Sequence, residues 1–267
     1  MSDNYVRILG ARGSVPVSGK NFAQFGGATF SLLVKLSGNY LIVDAGSGLF
    51  QIPEEILKEK ELDLLLTHLH LDHLIGLPLC PFLFRQGNLM KVHIPLCTEH
   101  HAEQNIRLLF SPPFWPVTLE ELPAEILFHK INEKSIINNL CVEIVQGVHP
   151  GGVVIYKISN SEKSIVVATD CTLTDSLVNQ LKVFADHCDL LLIDGQYNEQ
   201  EWKEKSNYGH SEWYSAVLLG KECMAKKIRL IHHDPAHTDS MLEDAEDRLK
   251  IIYSSCAFAR ENELITL

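Results

Sequence analysis

Short apolar runs punctuate the chain at 5–10, 29–36, 40–43, 63–66, 91–96, 141–145, 153–158, 164–168, 189–193 and 228–231, many of them β-branched and bounded by Gly, Asn, Asp or Pro. Runs of this length and make-up predict strands. Two of them, SLLVKL and YLIVDA, are separated by Ser37-Gly38-Asn39, which predicts a hairpin. Apolar positions at helical spacing predict helices over 54–61, 99–110, 174–186, 211–225 and 239–260. Ser211 and Thr238 are the expected N-caps, because a hydroxyl there can accept from exposed first-turn amides. Strands dominate the first third, helices fill the gaps and a helix ends the chain. That order predicts an α/β protein of two mixed sheets packed together with helices outside. No repeat, linker or low-complexity segment divides it, so residues 1–267 are expected to form one domain.

Composition agrees with a globular protein: 46% of the 267 residues are hydrophobic and 21% charged, enough for a substantial core. The net charge of -11 would repel a long polyanion, and the densest basic run is Lys226-Lys227 with Arg229 nearby, so a polynucleotide partner is disfavoured. Seven cysteines (80, 97, 141, 171, 188, 223, 256) show no CxxC spacing, and the opening MSDNYVRILG has no apolar signal core. They read as reduced, buried thiols of a cytoplasmic protein. The leucine-rich stretch 62–84 is interrupted by His68, His70, Asp72 and His73 and is not an ordinary membrane span.

Those interruptions are the chemical centre of the sequence. The apolar run Leu64-Leu65-Leu66 leads straight into Thr67-His68-Leu69-His70-Leu71-Asp72-His73, an HxHxDH pattern. His68 and His70, two apart, can converge on one cation, while Asp72 and His73 can turn toward a second as a helix begins. Burying three imidazoles and a carboxylate together without a cation would be costly.

The pattern resembles the signature of the metallo-β-lactamase superfamily, and the resemblance extends over nearly the whole chain. It implies a four-layer αββα sandwich and further ligands placed singly at strand ends. His149 after CVEIVQ, Asp170 at the end of SIVVATD and His232 after IRLI match these in order, with His233 the alternative to His232 because alternating strand geometry lets only one of two neighbours face a site. The resemblance assigns His68, His70 and His149 to one metal, Asp72, His73 and His232 to a second, and Asp170 to both, bridged also by a hydroxide. Zinc suits the histidine-rich first site and manganese is a credible substitute. His70 stands where the di-iron flavoproteins of this fold carry a carboxylate, which favours hydrolysis. Asp44-Ala45-Gly46 resembles the family's DxG turn, with Asp44 supporting a ligand.

Tyr208-Gly209-His210-Ser211-Glu212 resembles the His-Ser-Thr motif of the phosphodiesterase branch, which includes ribonuclease Z, with Glu212 in place of Thr. It implies that His210 holds or protonates the leaving oxygen; Asp72 and His210 are the candidate catalytic residues. Gly10–Pro16 and Phe25-Gly26-Gly27 look like the opening of the same branch. Arg12 reads either as a phosphate contact or as a solvated loop charge, and Pro112–Pro116 as an apolar rim or an ordinary packed loop. Long-form ribonuclease Z inserts a basic arm between the third histidine and the bridging aspartate, and only twenty residues separate His149 from Asp170 here. The expected substrate is therefore a small phosphodiester such as a cyclic nucleotide, with tRNA and membranes disfavoured and a homo-oligomer left open. The competing readings are a glyoxalase II-like thioester or lactone hydrolase and a non-catalytic metal- or ligand-binding member.

Overall fold

The computed structural model describes residues 4–95 and 101–267. Strands β1 (Tyr5–Gly10), β2 (Ser31–Leu36), β3 (Asn39–Val43), β4 (Glu61–Leu65), β5 (Leu89–Pro95) and β6 (Glu125–Ile131) form one sheet with β14 (Leu264–Thr266), in the order β14-β1-β2-β3-β4-β5-β6. Strands β7 (Lys134–Ile137), β8 (Leu140–Gln146), β9 (Val154–Ser159), β10 (Ser164–Ala168), β11 (Leu190–Asp194), β12 (Ile228–Ile231) and β13 (Cys256–Phe258) form the other, in reverse chain order.

Strand alternation builds the layers. Ile165 and Val167 of β10 and Leu190 and Leu192 of β11 point into the space between the sheets, where they meet Val6, Ile8, Leu32 and Val34 of β1 and β2. Their neighbours Val166, Ala168, Leu191 and Ile193 face outward, onto α2 (Asp175–Phe184), α4 (Trp213–Glu222) and α5 (Asp239–Ile252), with the short α3 (Glu199–Lys205) between α2 and α4 in the chain. The other sheet's outer face is covered by α1 (Ala102–Leu109) and by short 3-10 turns that include Ile56–Lys58, Leu77–Leu79 and Pro81–Phe84. This is the four-layer arrangement, with one helical layer built mainly of single turns.

Several sequence expectations need correction. The helix expected over 54–61 is only the turn Ile56–Lys58, because the chain must be extended again by Glu61 to pair with β5. Within the stretch 99–110 the helix spans Ala102–Leu109, while 99 and 100 lie outside the described residues. The last helix stops at Ile252, and Cys256–Phe258 instead joins β12 as a parallel strand. The cap of α4 is Glu212, which accepts from the amides of Tyr214 and Ser215, and not Ser211. Thr238 occupies the cap position of α5, but its side chain makes no cap hydrogen bond. The β2–β3 hairpin closes on Ser37 and Gly38 alone, both with positive φ (50° and 80°), the conformation that tight two-residue hairpin turns require.

Strands β10, β11 and β12 are parallel, and β8 runs the same way because both it and β10 are antiparallel to β9. Their C-terminal ends therefore share one edge, where open α/β sheets present their ligands. No helix among the described residues is long and apolar enough to cross a membrane. Of the six described cysteines, Cys80, Cys171, Cys188, Cys223 and Cys256 are buried and Cys141 is half-buried, all as free thiols; Cys97 lies outside the described residues.

Candidate metal centre

Each residue of the site leaves a strand end or the loop directly after it. Thr67 to His73 follow β4, His149 follows β8, Asp170 follows β10, Asp194 closes β11 and His232 follows β12. Asp170 and His232 have positive φ (52° and 63°), so the chain turns sharply as each strand ends. Asp and His are among the residue types that tolerate this conformation best. Two glycines let neighbouring backbone press against the rings: a Cβ at Gly13 would lie 2.2 Å from His232 Nδ1, and one at Gly209 2.2 Å from His149 Nδ1.

These side chains converge. His68, His70, His149 and Asp170 form one group in which one ligand atom from each lies within 4.8 Å of the others, and Asp72, His73 and His232 form a second. Asp170 lies between the two: its Oδ2 is 3.2 Å from His73 Nε2, and its Oδ1 is 3.1 Å from His232 Nε2 and 3.8 Å from His149 Nε2. All seven residues named from sequence are thus brought together. His233 is not among them, for its ring turns away and its Nε2 donates to the Ala259 carbonyl at 2.8 Å.

Hydrogen bonds at Nδ1 orient four of the five histidine rings. Thr67 gives its only hydroxyl proton to Asp44 Oδ2 and therefore accepts from His68 Nδ1 at 3.0 Å. His73 Nδ1 donates to Asp44 Oδ2 at 2.8 Å, His149 Nδ1 to the Gly209 carbonyl at 2.8 Å and His232 Nδ1 to Gln196 Oε1 at 3.1 Å. A second-nitrogen anchor of this kind is how proteins orient metal-ligating imidazoles. The Nε2 atoms of His68 and His73 are buried without any hydrogen-bond partner. Buried polar atoms are seldom left so, and divalent cations at these two places would satisfy them. The donor set fits such ions.

Electrostatics agree with the geometry. Burial works against charge on His73 and His232, yet Asp170 and Asp72 outweigh it and hold both histidines above their ordinary range. Burial also opposes charge on Asp72 and Asp170, and the surrounding histidines outweigh it, pushing both carboxyls down. His68, His70 and His149 lie lower than usual, first because of burial. The cluster offers carboxylates that stay ionised and, at His68, His70 and His149, imidazoles that favour the neutral form; a cation at His73 and His232 would take the place of the proton that Asp72 and Asp170 favour there.

His210 adjoins this cluster. Its Nδ1 lies 2.8 Å from Asp194 Oδ2, its ring stacks on His232 at 4.8 Å, and it can bring a ligand atom within 4.8 Å of ligand atoms on Asp170 and His232. Asp194 and Gln196 were not singled out from sequence. Asp194 ends an apolar run just as Asp170 does, and that parallel was the available signal. Asp44 touches both Thr67 and His73, consistent with a supporting role.

Arg12 fits neither of its expected roles. It is fully buried, with Nε donating to the Gly26 carbonyl and Nη1 to the carbonyls of Asp234 and His237. The segment around Pro112–Pro116 is mostly exposed, with Trp115 packed edge-on against Phe110.

A two-sheet sandwich with a His/Asp cluster at the C-terminal strand edge defines the class: a metallo-β-lactamase fold hydrolase with a site suited to divalent metals. The profile of the Beta-lactamase superfamily domain matches residues 39–233, and the chain belongs to that superfamily. A ribonuclease Z of Clostridium acetobutylicum is 26% identical over 293 residues, covering 90% of this chain and 92% of that protein. Among solved structures, a diphosphatase of the PhnP family superposes with a TM-score of 0.73 at 16% identity, covering 99% of this chain and 98% of its own. The metallo-beta-lactamase fold protein YhfI of Bacillus subtilis superposes with a TM-score of 0.72 at 18% identity, covering 99% of both chains.

Proposed function

We propose that the chain, acting as one domain, is a dinuclear metal-dependent phosphodiesterase for a small phosphodiester. His68, His70 and His149 would hold one ion and Asp72, His73 and His232 the other, with Asp170 shared; zinc is the first choice and manganese the second. Such ions, when bound, lower the pKa of water and offset charge on the oxygens of a displacement at phosphorus.

The observation that carries this reading over a thioesterase is the His210–Asp194 pair beside the cluster. Asp194 accepts from Nδ1 and orients the ring, leaving Nε2 to give a proton to a poor alkoxide leaving group. A thiolate needs no such acid. Asp72, oriented by the amide of Ser14 at 2.8 Å, accepts the proton of the attacking water. The -11 charge and the short His149–Asp170 connection support a small substrate over tRNA, even though relatives include ribonuclease Z. The buried free thiols suit a reducing cytoplasm.

The test is hydrolysis of matched activated phosphodiester, phosphomonoester and thioester substrates by zinc- or manganese-loaded protein, with metal content recorded on the same samples. The expected result is diester preference, with His210→Ala retaining both metals and losing turnover most on poor leaving groups. Thioester preference, or a fully metallated but inert protein, would overturn the reading.

A further inference from the structure

The two halves of the cluster are held differently. Each contains one buried ring nitrogen without a partner, Nε2 of His68 in one and Nε2 of His73 in the other, so both call for an ion. Asp72, His73 and His232 are all buried. Asp44 holds His73 Nδ1 at 2.8 Å, Gln196 holds His232 Nδ1 at 3.1 Å, and the Ser14 amide donates to Asp72 Oδ2 at 2.8 Å. Two carboxylates face this half, since Asp72 and Asp170 each lie 3.1 Å from His232 Nε2. The carboxylates that draw a proton onto that ring draw the two charges of a divalent cation more strongly. The ligands of this half are in place before an ion arrives, and little ordering remains to be done.

The half built from His68, His70 and His149 lacks part of this support. Thr67 meets His68 Nδ1 at 3.0 Å and the Gly209 carbonyl accepts from His149 Nδ1 at 2.8 Å, but no group among the described residues anchors His70 in this way. His70 is exposed, and its Nδ1 lies instead 3.1 Å from His149 Nε2, the nitrogen that the Gly209 anchor leaves free for a ligand. One prospective ligand atom is satisfied by another ring. An ion that takes His149 Nε2 must break that contact and fix an exposed side chain. Asp170 is the only carboxylate in this group, and its Oδ1 is 3.9 Å from His68 Nε2 and 3.8 Å from His149 Nε2, farther than it is from His232.

We infer that the two halves fill in a fixed order: Asp72, His73, His232 and Asp170 take the first ion and keep it, while His68, His70 and His149 take a second, exchangeable ion, with His70 the ligand that is ordered by binding it. This rests on the two-ion reading above and adds to it the order and inequality of the two sites.

The experiment titrates metal-free protein with zinc alone, in competition with a chromophoric chelator, and locates the ion by anomalous diffraction from crystals grown at one equivalent of zinc. Binding should resolve into two steps, the second weaker by roughly tenfold or more, because ligand support of this kind carries that much metal affinity. The ion present at one equivalent should lie against His73 and His232. His70→Ala should leave the first step unchanged and weaken or abolish the second, whereas Asp72→Asn should weaken the first by roughly tenfold or more. Two ions bound with equal affinity, a first ion seated against His70, or a His70→Ala protein whose first step is weakened as much as its second would overturn the order while leaving the two-ion centre intact. Failure to bind zinc would overturn the two together.

Discussion

His232 and His233 are neighbours in sequence, equally buried, and belong to different worlds. His232 faces Asp72 and Asp170, each 3.1 Å from its Nε2, and those carboxylates hold it above its ordinary pKa range against the effect of burial. His233 faces Phe25, Phe258 and the Arg12 neighbourhood, and burial followed by the Arg12 charge drives it well below that range. The first region sets imidazoles against carboxylates; the second sets them against a guanidinium and aromatic rings that lock the strand-end loop in place. The chain turns sharply at His232, where φ is 63°, and the two rings meet different partners, so one loop serves both the chemistry and the packing. The difference teaches that histidine content alone says little; what each ring faces decides its use.

The comparison is most sharply tested by charge-removing variants at the cluster. Asp170→Asn keeps a residue tolerant of positive φ while removing the carboxylate between the two groups. Hydrolytic turnover should fall roughly a hundredfold or more, and metal content should fall with it, while the metal-free fold stays intact. His232→Asn should do the same. His233→Asn should instead keep metal stoichiometry and lose about 2 kcal/mol of stability, because it removes the bond to Ala259 and the ring contacts. Metal analysis alongside thermal unfolding separates the two patterns. Equal metal loss from both neighbours would erase the distinction.

Arg12 sharpens the packing side. Its guanidinium satisfies three carbonyls, two of them in the loop that follows His232, and burial lowers its pKa to about 10 without discharging it at neutral pH. Arg12→Met should cost about 3 kcal/mol by leaving those carbonyls unpaired. That corresponds to roughly 6–12 °C in Tm for a chain of this size. A stable Arg12→Met protein with a raised KM for phosphodiesters would return Arg12 to the substrate role that its sequence context suggested.

The sequence reveals the centre of this molecule better than its margins. Four of the cluster residues stand in the HxHxDH run after an apolar strand, and the resemblance that this run carries pointed to the other three, His149, Asp170 and His232, at later strand ends. The strands not foreseen, β6, β7, β13 and β14, are the outermost strands of the two sheets. An edge strand has one paired neighbour and a solvated flank, so its apolar alternation is weak: Glu125–Ile131 alternates only between exposed and half-buried before Lys130, and Leu264–Thr266 buries just Ile265. Likewise, nothing local distinguishes Arg12 from a surface charge. Its partners at Asp234 and His237 lie more than two hundred residues away, and only the closed sandwich brings them near. Glu212 shows the reverse: a departure from the His-Ser-Thr pattern that the fold explains locally, as the cap of α4.

The smallest expected effect lies at the outer end of the packing region. Glu246 accepts from the Phe258 amide and from Arg260 and Lys250, and Arg260 covers the Phe25 ring that stands edge-on to His233. Burial acts to raise its pKa, but these donors outweigh burial and the carboxyl sits below the usual glutamate range. A carboxyl lowered on folding stabilises fully above its unfolded pKa of about 4.3, and that contribution is lost as pH falls through the folded value. Glu246→Gln should therefore cost about 1.5 kcal/mol at pH 7, with the gap to the native chain closing as pH drops below about 4. Denaturant titrations of both proteins across that range read it directly, with metal content and turnover at pH 7 unchanged. A gap that stays constant with pH would show that Glu246 acts through shape and hydrogen bonding alone, and that the aromatic shell around His233 does not depend on its charge.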